Sequence, residues 1–138
     1  MNIARIQEAF VKKIESLDLR IPIFSPNALP KPKPNEFIEL VVSETGRVVI
    51  QQDLEHWLGA ADCKITVEIS TGHQKIYHYA DKITEAFSVL DNSRCYVTTK
   101  DGIVLTVTNI RQFPLYTSGT TCSVNCRISF DTFLQIGE

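Results

Sequence analysis

Little in this sequence advertises chemistry. Its six glycines are isolated, so no glycine-rich loop precedes a helix to cradle a phosphate. No Gly-x-Ser-x-Gly elbow is present. The three histidines, His56, His73 and His78, have no carboxylate or cysteine at zinc-ligand spacing. The four cysteines include no Cys-x-x-Cys pair; Cys122 and Cys126 are four apart. The N-terminus opens an amphipathic pattern in place of a secretory signal, so the expectation is a cytoplasmic protein with free, buried thiols. No apolar run is long enough to span a bilayer, and membrane association is not expected. The net charge of −2 supplies no basic face for nucleic acid. Catalytic residues, metal and cofactor are therefore all expected to be none.

What remains is a composition with 43% hydrophobic and 22% charged residues, ordinary for a globular domain. At 138 residues it reads as one domain over 1–138. Five of its six prolines fall between positions 22 and 34. Proline fixes φ, lacks a donor and pushes its predecessor towards extended geometry, so residues 21–35 read as a stiff polyproline-like arm. The arm carries Ile21, Ile23, Phe24 and Leu29, apolar side chains that either the same chain or a neighbour must cover. Lys31 and Lys33 alternate with its prolines.

Around the arm the periodicities alternate. Ile3, Ile6, Phe10, Ile14 and Leu17 form a helical stripe with Asn2 as its N-cap. Residues 37–42 read as a strand, 43–46 as a turn and 47–52 as a second strand. The piece 53–62 reads as a loop or one helical turn around Trp57, because Gly59 interrupts the spacing of Leu54, Trp57 and Leu58. Residues 64–70 alternate cleanly as a strand. Ile76, Ala80, Ile83, Phe87 and Leu90 make a second helix, ended by residues 91–93. A hairpin turns at Lys100-Asp101-Gly102. A loop over 111–119 and a long strand from Cys122 to Asp131 complete the chain. The order α-β-β-β-α-β-β-β predicts an α+β fold with two helices packed on one face of a mainly antiparallel sheet.

The segment Ile-Phe-Ser-Pro-Asn-Ala-Leu-Pro-Lys-Pro leads into Glu36-Phe37-Ile38-Glu39-Leu40. Later come Tyr79-Ala80-Asp81-Lys82-Ile83-Thr84-Glu85-Ala86-Phe87 and the closing Cys126-Arg127-Ile128-Ser129-Phe130. In this order they resemble the tail terminator (tail-completion) proteins of long-tailed bacteriophages and prophages, over nearly the whole chain. The resemblance implies a structural protein and not an enzyme: a homo-oligomeric ring, usually hexameric, that caps the tail tube, ends its polymerisation and offers a surface to head-completion or neck proteins. It implies residence at the head-proximal end of the virion tail after assembly in the host cytoplasm. Subunit contacts would come from the arm and the 111–119 loop, with Ile23, Phe24, Leu29, Lys31, Lys33 and Tyr116 as interface candidates. The alternatives are another head–tail joining or neck protein and, in a different class, a small cytoplasmic enzyme or ligand-binding domain with its pocket between helices and sheet.

Overall fold

A computed structural model of the chain describes residues 2–26, 28–89 and 94–135. It is an α+β fold: two helices and a curled, mostly antiparallel sheet. Helix α1 spans Ile3–Glu15, and the Asn2 Oδ1 accepts from the backbone N–H of Ala4 at 3.0 Å and of Arg5 at 3.4 Å. A two-residue strand β1 (Ile23–Phe24) follows. Two fifteen-residue strands, β2 (Phe37–Gln51) and β3 (Leu54–Glu68), form one long hairpin. A 3₁₀ turn leads into α2 (His73–Ala86). The chain then adds β4 (Tyr96–Thr98), β5 (Val104–Gln112), β6 (Tyr116–Ser118) and β7 (Thr121–Gln135). The sheet order is β1-β2-β3-β7-β5-β4, with β6 also pairing β7.

Sidedness follows from the two-residue period of a strand. Ile38, Leu40 and Val42 of β2, Trp57, Ala61, Cys63, Ile65 and Val67 of β3, and Cys122, Val124, Cys126, Ile128 and Phe130 of β7 fall on one face. Ile6, Phe10 and Ile14 of α1, with Ile76, Ala80 and Ile83 of α2, cover that face. Phe10 sits 5.2 Å from Phe130 and 5.9 Å from Phe87, both tilted, so the rings bind the two helices to the sheet. Removing one such side chain costs about 3–5 kcal/mol.

The first half of the sheet differs from the sequence expectation. Residues 43–46 are not a turn: Ser43 pairs with Ala60 and Glu44 with Gly59, and the ladder only shifts at a bulge before Gly46. The strand expected at 47–52 is thus the outer half of β2. Residues 53–62 are not a loop or helical turn but the outer half of β3. Gly59, Ala60 and Ala61 look like a break in sequence, yet a Cβ on Gly59 would fall 2.5 Å from Phe130 Cζ and 2.8 Å from Trp57 Cζ3. Glycine is there so that two aromatic rings can close over the strand. Two more boundaries move: β3 stops at Glu68, and the 111–119 loop contains the end of β5 and all of β6. The apolar stripe expected to reach Leu90 ends in the described helix at Ala86, and residues 90–93 lie outside the described residues.

The proline-rich segment has a topological task. β1 pairs with β2 in parallel, Ile23 opposite Ile38 and Phe24 opposite Glu39. Parallel neighbours require a crossover, and residues 25–36 supply it; none of those described is in a helix or strand. Its far end is clamped where Glu36 accepts from Lys75 Nζ at 2.5 Å and from the Tyr79 hydroxyl at 3.4 Å.

All four cysteines are free and buried. Burial pushes the Cys126 thiol up to about 11, and burial, then the neighbouring Cys126 and Asp62, raise the directly opposed Cys63.

Gly59→Ala should lower unfolding free energy by about 1–3 kcal/mol through overpacking, whereas Gly46→Ala, whose Cβ would meet Leu58 Cδ1 at an ordinary 3.5 Å, should be nearly neutral; urea unfolding reads both. The native protein should resist aromatic-disulfide thiol titration, all four cysteines reacting only in denaturant. Because a thiol whose folded pKa exceeds its ordinary 9.0 stabilises the fold while both states are protonated, stability should fall as pH rises from 9 to 11, by on the order of 2 kcal/mol for Cys126.

Candidate interaction surface

The sheet face turned away from the helices is built in polar rows. Glu39, Lys64 and Asn125 face one another across β2, β3 and β7. In the next row stand Val41, Asp62, Arg127 and Arg111, and in the row on the other side Phe37, Thr66, Ser123 and Tyr116. Even positions of β3 put these side chains here because its odd positions are committed to the core.

Asp62 is the organising acceptor. Arg127 donates to it through Nε at 2.9 Å and its second nitrogen at 3.3 Å, and Asn125 Nδ2 adds a third bond at 3.1 Å. The Asp62 carboxylate holds the Arg127 guanidinium above its ordinary value. Arg111 stacks over Phe113 at 4.6 Å, with Arg127 at 5.9 Å from the same ring. Thr66 and Ser123 hydroxyls meet at 3.1 Å. Lys64 Nζ lies 5.8 Å above the Tyr116 ring. Asn125 Oδ1 is buried without a hydrogen-bond partner among the described residues.

Two shallow clefts lie on this face. One, of about 380 Å³, runs between the end of the crossover and β6 and is lined by Lys33, Phe37, Lys64 and Tyr116 among others. The second, also about 380 Å³, adjoins it and includes Asp62, Asn125 and Arg127. Lys33 and Tyr116, distant in sequence, therefore meet in one cleft. The other interface candidates are dispersed. Ile23 is half-buried on the helix side, beside a cavity of about 190 Å³ shared with the end of α1. Phe24 is half-buried with its ring 6.4 Å from Phe37. Leu29 is half-buried in the crossover, and Lys31 is exposed.

Sequence reasoning missed Asp62, Lys64, Asn125 and Arg127. Their signal was present as the polar alternates of two strands, but the strand holding Asp62 was read as a loop. It missed also the far end of the sheet. There Val48, Val49, Ile50 and Phe133 are about half exposed or more. The His56 ring stacks on Phe133 at 4.5 Å and bonds Asp131 Oδ2 through Nε2 at 2.9 Å. Among the described residues no group of three or more His, Cys, Asp and Glu could hold a metal ion. No described helix is long and apolar enough to cross a membrane.

No known family model matches the chain, and no curated protein matches it in sequence. A solved structure whose name states no activity superposes with a TM-score of 0.71 at 16% identity, over 96% of this chain and 96% of its own. Likeness at that identity establishes a shared fold and nothing about activity.

The rows of Glu39, Lys64 and Asn125 and of Asp62 and Arg127 are half-exposed or exposed, so their polar bonds should contribute little to folding. Arg127→Ala should cost under about 1 kcal/mol, and Lys64→Ala or Tyr116→Ala under about 0.5 kcal/mol, in urea unfolding.

Proposed function

We propose that this chain is a virion assembly protein of the tail-terminator kind. It forms a ring, hexameric in this reading, that caps the phage tail tube, stops its polymerisation and presents a surface for head attachment. Its partners are copies of itself, the tail tube protein and a head-completion or neck protein. It is assembled in the host cytoplasm and resides at the head-proximal end of the tail. The role is structural, and no residue is assigned to catalysis.

The observation that carries this reading is the uncovered apolar end of the sheet, a feature that marks an interaction site on an otherwise well-packed domain. The cleft pairing Lys33 with Tyr116 supports it, since shallow polar clefts suit protein surfaces better than small ligands. The crossover also fits: it is anchored at both ends and exposes Pro30, Lys31, Pro32 and Lys33 between them. A stiff segment held in this way loses little entropy when a partner docks.

The test is tail-tube polymerisation followed by electron microscopy. Added protein should shorten the tubes and decorate one end as a ring. Replacing residues 28–33 by an equal length of glycine and serine should weaken capping while lowering the thermal midpoint by no more than about 4 °C. Tubes of unchanged length in the presence of excess protein would remove the terminator assignment.

A further inference from the structure

The helices and the strands differ in length. Strands of fifteen residues run about 50 Å, whereas helices of thirteen and fourteen residues run about 20 Å. Trp57 is the last fully buried side chain of β3 towards this end, and past Phe133, whose neighbour in β5 is Val104, only the outer part of β2, the start of β3 and the end of β7 continue, as a short tongue. Cross-strand rows put Val48, His56 and Phe133 on one face of the tongue and Val49, Glu55 and Leu134 on the other. Val48 is 54% exposed, Val49 62%, Ile50 48% and Phe133 58%. The outer edge of β2 is bare as well. β1 reaches only Ile38 and Glu39, and the Gln7 side chain bonds the Leu40 carbonyl; among the described residues no strand pairs beyond it. A long, apolar, unpaired edge is a template for another chain.

The other lateral edge of the sheet offers a counterpart, at the same level along the strands, since Val104 of β5 lies beside Phe133. β4 is the other terminal strand, and it exposes Tyr96, with Val104 of β5 beside it. Together the tongue and this edge hold six of the eleven large exposed hydrophobics among the described residues. Their charges are opposite. The tongue carries Glu44, Asp53 and Glu55 against Arg47, and Asp131, bonded to His56, stands midway, in the row of Tyr96. The β4 edge carries Arg94, Lys100 and Lys13 against Asp101, which accepts from the Thr99 hydroxyl. Lys13 already bonds the Tyr96 carbonyl at 3.3 Å, so side chains more than main-chain pairing complete the seat.

We infer that the tongue docks on the β4 edge of a second copy of this chain, head to tail. Charge selects this arrangement. A tongue-to-tongue contact would oppose carboxylates, whereas the head-to-tail contact joins acidic to basic surface and covers apolar side chains on both partners. A contact between two different patches propagates around an axis and closes into a ring or continues as a filament. The inference rests only on the self-association within the proposed function, not on tail capping.

The test combines light scattering with site-directed cross-linking. The native thiols are buried and silent, so new cysteines report alone. The double variant Ile50→Cys, Thr98→Cys treated with a short bismaleimide should give a ladder of dimers, trimers and larger species, and neither single variant should do so. Lys100→Glu should weaken association about 5- to 10-fold, and adding Asp53→Lys should restore it, circular dichroism confirming that each variant folds. Dimers from Ile50→Cys alone would show tongue meeting tongue and overturn the inference, as would a protein that stays monomeric at about 0.5 mM, a concentration that would populate even a sub-millimolar contact. Rings that assemble this way but leave tail tubes growing would refute capping and leave the head-to-tail contact standing.

Discussion

The ladder between β3 and β7 is the constraint on which the rest of the molecule depends. Leu54 faces Gln135 at one end and Glu68 faces Thr121 at the other, and all fifteen pairs of the ladder keep one register without a shift. The other strands build outward from this pair: β2 on β3 and β1 on β2 to one side, β5 and β6 on β7 and β4 on β5 to the other. A slip of one residue would move the entire apolar set of a strand to the wrong face. Cys63, Ile65 and Val67 opposite Cys126, Val124 and Cys122 make that slip prohibitive, because it would carry a fully buried set of side chains to the polar face.

The two faces of this ladder have different tasks. On the helix side, burial supplies stability, with Phe10, Trp57, Phe87 and Phe130 as the largest enclosed side chains. On the open side, Asp62 gathers Arg127 and Asn125, and Lys64 lies against Tyr116, in bonds too exposed to contribute much to folding. The sheet also divides lengthwise: the two short helices cover a core over most of its length, and towards the β2–β3 turn Val48, Val49, Ile50 and Phe133 are about half exposed or more.

Much of the layout was legible in sequence, and the failures have physical causes. Both helices, the Asp101-Gly102 hairpin and the long last strand were readable because one face of each is apolar and the other wet, which is what periodicity detects. The Asn2 cap was readable because its amide chemistry is local. The β2–β3 hairpin was misread at its middle. Ser43, Glu44 and Gly46 have turn chemistry, but a bulge absorbed them; Gly59 has breaker chemistry, but two rings needed its missing Cβ. The outer part of the hairpin lacks a clean alternation because neither of its faces meets a core.

The sequence by itself determined the α+β class and the buried thiols, since period and burial preference are properties of short stretches of chain; residues 21–35 it marked only as proline-rich. Only the tertiary structure decided that this stretch is a parallel crossover. It alone brought Lys33 to Tyr116 and Asp62 to Arg127, and it alone showed that the strands outrun the helices. Those outcomes depend on register and on the relative lengths of elements far apart in the chain, quantities that no local pattern encodes.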